Sequence, residues 1–243
     1  MDRLIYLSMT GAKASMQRQE VLTNNLANAS TTGFRAEMAA FRAVPVRGDG
    51  ATTRAFALET TIGYDDRAGP MATTGNPLDV AMQGNAWLAV QSLDGTEAYT
   101  RNGAMQRNAE GLLVTQSGLP VNGDGGPITI PPGAVPEVAE DGTISVRVGS
   151  ARPEVVGRLK LVTPEGPLTR GTDGLFRAAD GDLPADPTAR LQGGALEGSN
   201  VSPVETMVAM IAAARQFEQQ MKMLQGAEQR EQAAARLLGP SMP

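Results

Sequence analysis

The sequence predicts an α+β protein with long N- and C-terminal helices that pair as a coiled coil, an extended connector and a central antiparallel β-rich domain. Both ends of the chain show apolar residues at alternating spacings of three and four, the period of a helix face. The centre shows short apolar runs separated by Asn-Gly and Asp-Gly pairs, which close hairpins. We therefore predict a terminal helical domain over 1–35 and 196–243, a connector over 36–73 and a β-rich domain over 74–195.

The composition excludes several classes of function. The formal net charge is -5 and no strongly basic block is present, which argues against nucleic acid or anionic lipid as a main partner. The chain contains no Cys and no His, so thiolate chemistry and the commonest general base and metal ligand are missing. No cofactor or metal is implied. No apolar run approaches the roughly 18 residues needed to span a bilayer, so we expect no integral membrane segment.

The first helix is predicted from Asp2 to about Asn28. Its three-four stripe consists of Ile5, Met9, Ala12, Met16, Gln19, Thr23 and Leu26. Two interpretations stay open at this point: an amphipathic helix packed on an ordinary core, or a helix paired with the one at the other end of the chain.

The second helix has both of its ends marked. Ser202 can cap it, Pro203 suits the first helical position, and Glu205 completes a capping box. Gly239-Pro240 supplies a stop. The predicted seam is Met207, Met210, Ala214, Phe217, Met221 and Leu224. At 1.5 Å per residue the helix extends about 54 Å, too long for a small core to cover, so a partner helix is expected.

The stretch TNNLANASTTGF, residues 23–34, joins the first helix to the connector. Its Asn, Ser and Thr side chains are typical of a frayed helix end, because they compete for backbone groups. They equally supply directional donors and acceptors for a neighbouring subunit. We therefore consider it a candidate recognition surface.

The connector is weakly patterned, and the centre that follows has a regular rhythm of strands and turns. Strand candidates are 87–90, 97–101, 112–115, 128–130, 143–148 and 155–162. The intervening Asp-Gly and Asn-Gly pairs indicate hairpins, and the Gly-rich 122–127 is a turn, because no Lys-Ser/Thr follows it.

The motifs resemble those of the bacterial flagellar basal-body rod and hook proteins. The N-terminal helix breaks into Asn25-Leu26-Ala27-Asn28, followed by Thr32, Gly33, Phe34 and Arg35. The centre shows Asp-Gly-Thr, Tyr-Thr-Arg-Asn-Gly at 99–103, and GGPITIP, and LEGSNV at 196–201 precedes the second helix. Together the motifs cover nearly the whole chain, and the first residues and the RQFEQQMKM ending are most similar to proximal-rod members.

The resemblance implies a structural subunit of the proximal rod, without enzymatic activity, that polymerises through its terminal helices around the export channel. Its implied partners are other rod subunits (proximal below, distal rod above), copies of itself and the flagellar export apparatus. Its implied location is the periplasmic rod of the basal body, reached without a cleaved Sec signal. The candidate subunit-interface residues are Asn24, Asn25, Leu26, Asn28, Thr32, Gly33, Phe34, Asn200, Met207, Met210, Ile211, Phe217, Met221 and Leu224.

Other functions remain as alternatives at this stage. A distal-rod or hook-type axial subunit shares the terminal motifs. A peptidoglycan-acting enzyme would need a carboxylate pair such as Asp65-Asp66, Asp180 with Asp182, or Glu137 with Glu140. A soluble carbohydrate- or protein-binding β-module accounts for the centre but leaves the terminal helices without a purpose.

Overall fold

The computed structural model describes residues 2–45, 55–149, 151–179 and 181–238. A helix lies at each end, α1 over Asp2–Ala27 and α2 over Pro203–Leu238, and strands fill the chain between them. The predicted α+β class, with a helix at each end and an antiparallel β-rich centre, is confirmed. The predicted stop at Gly239-Pro240 lies outside the described residues.

The start of α2 agrees with the predicted position. α2 begins at Pro203, whose fixed φ and missing N–H suit the first helical position. Its first turn is closed by the N–H of Thr206, which donates to the Ser202 carbonyl at 3.0 Å. At the end of α1 the N–H of Asn28 donates to the Asn24 carbonyl at 3.1 Å. No described helix combines the length and apolarity needed to cross a membrane.

Part of the predicted connector is an ordered hairpin. Strands β1 (Glu37–Pro45) and β2 (Ala55–Tyr64) pair antiparallel from Glu37 opposite Tyr64 to Pro45 opposite Ala55, with a register shift between Met38 and Ala39. The sequence did not predict this hairpin, because the hydrophobic alternation in its strands is weak. The two strands form a sheet of their own and contact α1 instead of lying in a larger sheet.

The centre is built from short antiparallel strands. In chain order they are β3 (Met71–Thr73), β4 (Val80–Met82), β5 (Trp87–Gln91), β6 (Glu97–Thr100), β7 (Met105–Arg107), β8 (Leu113–Thr115), β9 (Asn122–Gly123), β10 (Gly126–Pro127), β11 (Ala134–Val138), β12 (Thr143–Val148), β13 (Glu154–Arg158), β14 (Leu161–Val162), β15 (Thr169–Arg170), β16 (Phe176–Arg177), β17 (Leu191–Gly193) and β18 (Ala195–Glu197). The largest sheet has the order β14-β5-β6-β16-β15, and β11-β12-β13 forms a second sheet.

The main core lies in this β region. Its fully buried members come from several sheets and include Leu88, Leu113, Ile144, Leu161 and Leu191. The hairpin turns predicted at Gly95, Gly111 and Gly142 occur, each with φ near +85°. The predicted strand at 128–130 is instead an irregular segment with one bridge, Leu112 to Thr129, and the predicted strand at 155–162 is split into β13 and β14.

The chain divides into two compact units. The helical unit comprises the described parts of 1–29, 36–65 and 201–243, and the β-unit comprises those of 30–35 and 66–200. The six residues 30–35 therefore belong to the β-unit, although the chain on both sides of them belongs to the helical unit. This division places Thr32, Gly33 and Phe34 apart from the helices to which the sequence motif had joined them.

Candidate functional site

The β-unit contains a buried cluster of three charged residues, the Arg–Glu–Arg cluster of Arg35, Glu197 and Arg101. Their side chains are 3%, 0% and 2% exposed. Nη1 of Arg35 lies 2.6 Å from Oε1 of Glu197, and Nη2 of Arg101 lies 2.6 Å from Oε2. One buried carboxylate thus pairs with two guanidinium groups, each on its own oxygen.

Arg101 uses its whole guanidinium. Its Nε and Nη2 donate to Oε2 of Glu197, Nη2 also donates to the Met82 carbonyl, and Nη1 donates to the carbonyls of Gly84 and Ala86. Because a guanidinium has five N–H groups, every donor is satisfied. Burial lowers the pKa of Arg101, and the nearby Glu197 carboxylate counteracts this shift. The side chain therefore holds the turn between β4 and β5 against the end of β18.

Three distant segments bring the cluster together. Arg101 directly follows β6, Glu197 ends β18, and Arg35 lies between α1 and β1. β18 pairs with β3, and the N–H of Gly69 just before β3 donates to Oε1 of Glu197 at 2.9 Å. The main chain of Glu197 also takes part, because its carbonyl accepts from the N–H of Gly33 at 2.7 Å.

Three aromatic rings, those of Phe34, Trp87 and Phe176, adjoin the Arg–Glu–Arg cluster. The Arg170 guanidinium lies 4.3 Å from the centre of the Phe34 ring and 5.7 Å from that of Phe176. Phe176 in turn lies 4.7 Å from Trp87, and the Arg101 guanidinium lies 5.9 Å from the Trp87 ring. Distances of this size are those of cation–π and tilted aromatic contacts. The adjacent residues Phe34 and Arg35 thus have separate partners: Arg170 lies over the Phe34 ring, and Glu197 pairs with Arg35.

Glycines permit the close approach of the backbones at this place. A Cβ on Gly33 would lie 2.3 Å from the carbonyl carbon of Arg101, and Gly33 has a φ of +69°. A Cβ on Gly69 would lie 2.1 Å from the Gly198 oxygen. These neighbours are backbone atoms that cannot turn aside, so a side chain is excluded at both positions.

The helical unit has its own polar anchor at Asn25. The side-chain amide of Asn25 donates to the Glu37 carbonyl at 2.9 Å and accepts from the Glu37 N–H at 2.8 Å. This exchange of two hydrogen bonds imitates strand pairing and fixes the start of β1 beside α1. Asn24 adds a bond of 3.2 Å to Oε2 of Glu37.

The most buried positions of the two helices are small residues, partly buried large residues lie beside them, and several other large residues are exposed. The covered stripe of α1 is Ile5, Ser8, Ala12, Ser15, Gln19, Leu22 and Leu26, and that of α2 is Thr206, Met210, Ala213, Phe217, Gln220, Leu224 and Ala227. Three methionines of the predicted seams, Met9, Met16 and Met207, are about half exposed. The prediction followed the most apolar positions, but Ser8, Ser15 and Thr206 are the ones that the fold buries.

The predicted interface residues occupy different environments. Leu26, Met210, Phe217, Met221 and Leu224 are partly buried in the helical unit, whereas Met207 and Ile211 are 51% and 55% exposed. Gly33 and Phe34 are buried in the β-unit and Thr32 is partly buried there. Two asparagines bond within the chain: Nδ2 of Asn28 donates to the Asn24 carbonyl at 2.9 Å, and Nδ2 of Asn200 donates to the Arg67 carbonyl at 2.9 Å.

The candidate carboxylate pairs do not coincide with the buried cluster. Glu137 and Glu140 are exposed, as are Asp66 and Asp182, and Asp180 lies outside the described residues. Among the residues that the structure describes, no group of three or more carboxylates is placed to hold a metal ion.

Sequence reasoning did not find the Arg–Glu–Arg cluster, although it had selected all three motifs that build it. Arg35 ends the Thr-Gly-Phe motif, Arg101 lies in Tyr-Thr-Arg-Asn-Gly and Glu197 lies in LEGSN. The signal was one charged residue in each of three otherwise turn-forming motifs. Pairing them requires the tertiary fold, because up to 162 residues separate them.

Comparison with protein families gives the class to which this architecture belongs. Residues 5–35 match the family described as flagella basal body rod protein, and residues 81–146 match the flagellar hook protein FlgE/F/G D1 domain. Residues 192–237 match the flagellar basal body rod FlgEFG protein C-terminal family. Each matched segment contributes one member of the Arg–Glu–Arg cluster.

Similarity to individual proteins is strong over the full length. The chain is 48% identical to the flagellar basal-body rod protein FlgF of Salmonella typhimurium over 252 residues, which covers 99% of this chain and 100% of the relative. FlgF of Escherichia coli is also 48% identical, with the same coverage. FlgF of Caulobacter vibrioides is 36% identical, covering 98% of this chain and 99% of the relative. The chain belongs to the flagellar basal-body rod protein family.

Proposed function

We propose that this protein is a structural subunit of the proximal rod of the bacterial flagellar basal body and polymerises through its terminal helices. The family membership supports the rod, and the full-length similarity to proteins named FlgF favours a proximal-rod subunit over a distal-rod or hook subunit. The observation that carries the mode of assembly is the sorting of side chains on the helices. One face of each helix is covered, and a second group of large apolar residues is left exposed.

The outward stripe of α2 is apolar along its first two turns. It consists of Val204, Met207, Val208 and Ile211, at the i, i+3, i+4, i+7 spacing of one helix face. At 100° per residue this stripe lies on roughly the opposite side of α2 from Ala213 and Phe217. A contiguous exposed apolar stripe marks an interaction surface. Covering the exposed halves of Met207 and Ile211 contributes about 1 kcal/mol each.

α1 carries the matching exposed residues Tyr6, Met9 and Met16. In the assembled rod we place these stripes against helices of neighbouring subunits. The covered stripes repeat at spacings of three and four along both helices, which supports coiled-coil pairing of α1 with α2 inside each subunit. Small residues at the contact allow close approach: a Cβ added to Gly11 would lie 2.9 Å from Cδ of Gln220.

We assign different roles to the candidate interface residues. Met207 and Ile211 form intersubunit contacts, while Leu26, Met210, Phe217, Met221 and Leu224 pack the helical unit. Asn24, Asn25 and Asn28 shape the end of α1, and Thr32, Gly33, Phe34 and Asn200 anchor segments within the β-unit. Heterologous contacts between such stripes repeat without closing, which is what a helical rod requires.

We also propose a location and partners for the subunit. The subunit lies in the periplasmic rod, reaches it through the flagellar export apparatus without a cleaved Sec signal, and contacts copies of itself and of other rod subunits. It has no enzymatic role, consistent with its structural family.

The double variant Met207→Asp/Ile211→Asp tests the assembly mode. It places two charges on the outward stripe, so we expect an unchanged circular dichroism spectrum of the purified chain, loss of the subunit from isolated basal bodies and loss of swimming. Gln216→Asp is the matched control, an exposed position on the same helix outside the stripe. Normal incorporation of the double variant would contradict the proposal.

A further inference from the structure

Residues 30–35 are held in the β-unit by a small number of contacts. The Gly33 N–H donates to the Glu197 carbonyl, the Phe34 carbonyl accepts from the Asn200 N–H at 3.2 Å, and Arg35 reaches Glu197 and the Arg67 carbonyl, the latter at 2.8 Å. The segment belongs to no strand. It is therefore fixed by side chains and single backbone bonds, which break more independently than the bonds of a ladder.

The charges at this place are unequal. Glu197 contributes one negative charge, and Arg35 and Arg101 contribute one positive charge each, so the buried cluster has an excess of one positive charge. Without Arg35 the remaining pair of Arg101 and Glu197 is neutral. Arg101 would keep all five of its hydrogen bonds, and Oε1 of Glu197 would keep the N–H of Gly69.

Without the segment, Arg170 loses its contact with the Phe34 ring and the hydrogen bond of 3.3 Å that its Nη1 donates to the Arg35 carbonyl, but the other contacts of the aromatic part remain. Phe176 packs on Trp87, and Arg170 lies over Phe176 independently of its contact with Phe34. Asn200 also keeps its side-chain bond to the Arg67 carbonyl. The residues that receive the segment thus form a consistent socket, consisting of Trp87, Arg101, Arg170, Phe176 and Glu197.

We propose that residues 30–35 are a latch that can leave this socket while the β-unit stays folded. Release moves the excess charge of Arg35 into water and leaves a neutral buried pair behind, so the released state has no unpaired buried charge. This device goes beyond the rod assignment and does not depend on it.

Hydrogen exchange of the purified full-length chain tests the latch. In Arg35→Met, which keeps an unbranched apolar side chain but removes the guanidinium and its charge, we expect peptides covering residues 30–35 to exchange at least about tenfold faster, with unchanged protection in β5 and β6. Gly33→Ala should also speed the exchange of residues 30–35, because the added Cβ collides with the Arg101 backbone. Arg147→Met, the loss of an exposed arginine on β12, is the control and should exchange as the wild type does.

Trp87 provides a second measurement, because it is the one tryptophan of the sequence and is 1% exposed. Its emission should keep the wavelength of a buried indole in both latch variants, which would show an intact socket. The proposal is overturned if residues 30–35 stay protected in both variants. It is also overturned if β5 and β6 lose protection together with residues 30–35, or if Trp87 becomes exposed.

Discussion

Arg101 is a residue that no other cation can replace in this fold. Its planar fork reaches the Glu197 carboxylate and three carbonyls of the β4–β5 turn at the same time. A lysine has the same charge but three donors on a single nitrogen, so it cannot reach all of these acceptors. The geometry, more than the charge, is what this position requires.

We expect Arg101→Lys to lower the free energy of unfolding by about 2–4 kcal/mol, because buried carbonyls lose their donors. Denaturation by urea, followed by far-UV circular dichroism, measures this change. Arg107→Lys is the matched control: Arg107 is exposed and bonds one carbonyl, that of Pro131. Its effect should stay within about 0.5 kcal/mol. Equal losses in the two variants would show that the fork of Arg101 is unimportant.

The side chain of Asn25 forms hydrogen bonds of the kind that a neighbouring strand would form. Its amide exchanges two hydrogen bonds with the backbone of Glu37, and it is buried. The sequence marked Asn25 as polar and directional, which is correct, and predicted a partner in another subunit. Within the chain, the structure satisfies this amide at the first residue of β1.

At the scale of elements, the helices reverse the usual distribution of side chains. Ala213 is 0% exposed and faces α1, whereas Ile211 two residues earlier is more than half exposed. A helix whose best hydrophobic residues remain in water is incomplete as a monomer. Small residues such as Ala213 are buried, and large residues such as Ile211 remain exposed.

Ala213→Leu tests this arrangement. The added carbons have no space between α1 and α2, so we expect a loss of about 1–3 kcal/mol of stability from overpacking. Ala212→Leu, the exposed alanine next to it, should change stability by less than about 0.5 kcal/mol. Thermal unfolding of both variants measures these changes in stability. If Ala212→Leu is the more damaging of the two, the assignment of the inner face is wrong.

At the scale of the whole molecule, the β-unit depends on carboxylates that stabilise turns. Asp94, Asp141, Asp173 and Asp186 each accept the N–H of the residue two positions on. Hydrogen bonds lower the pKa of all four, chiefly bonds from the side chain of Thr96, the backbone of Thr143, the side chain of Arg177 and the side chain of Thr163, respectively. The pKa of Asp186 falls to about 2. The ionised carboxylates accept these bonds more strongly than the protonated carboxyl groups would.

The pH dependence of stability follows from the sign of these shifts. A pKa that is lower in the folded state stabilises the protein above the unfolded value of about 4, and this contribution is lost as the pH falls towards about 2. With no histidine in the sequence, no imidazole titrates near neutrality. We expect a thermal midpoint that is flat from about pH 5 to 8 and falls below about pH 4. Asp186→Asn should show a shallower fall, and a midpoint already decreasing between pH 7 and 5 would contradict this explanation.

The sequence by itself determined the class, the helices and the hairpin rhythm of this protein. Pro203 and Ser202 mark the start of α2, and Asp-Gly pairs mark turns such as those at Gly95 and Gly142, because capping and positive φ are local properties of the chain. Family motifs at both ends and in the centre were equally visible. Local signals of this kind need no knowledge of distant residues.

Only the tertiary structure decided which face of each helix is covered and where the charged residues meet. Hydrophobic periodicity selected Met9 and Met207, yet the fold covers Ser8 and Thr206, because the covered face of a helix depends on the elements that pack against it and not on hydrophobicity alone. Arg35, Arg101 and Glu197 each belong to a family motif, and no local pattern in the sequence pairs them. Their pairing depends on β18 lying beside β3 and on residues 30–35 reaching the β-unit, and these are contacts between segments far apart in the chain.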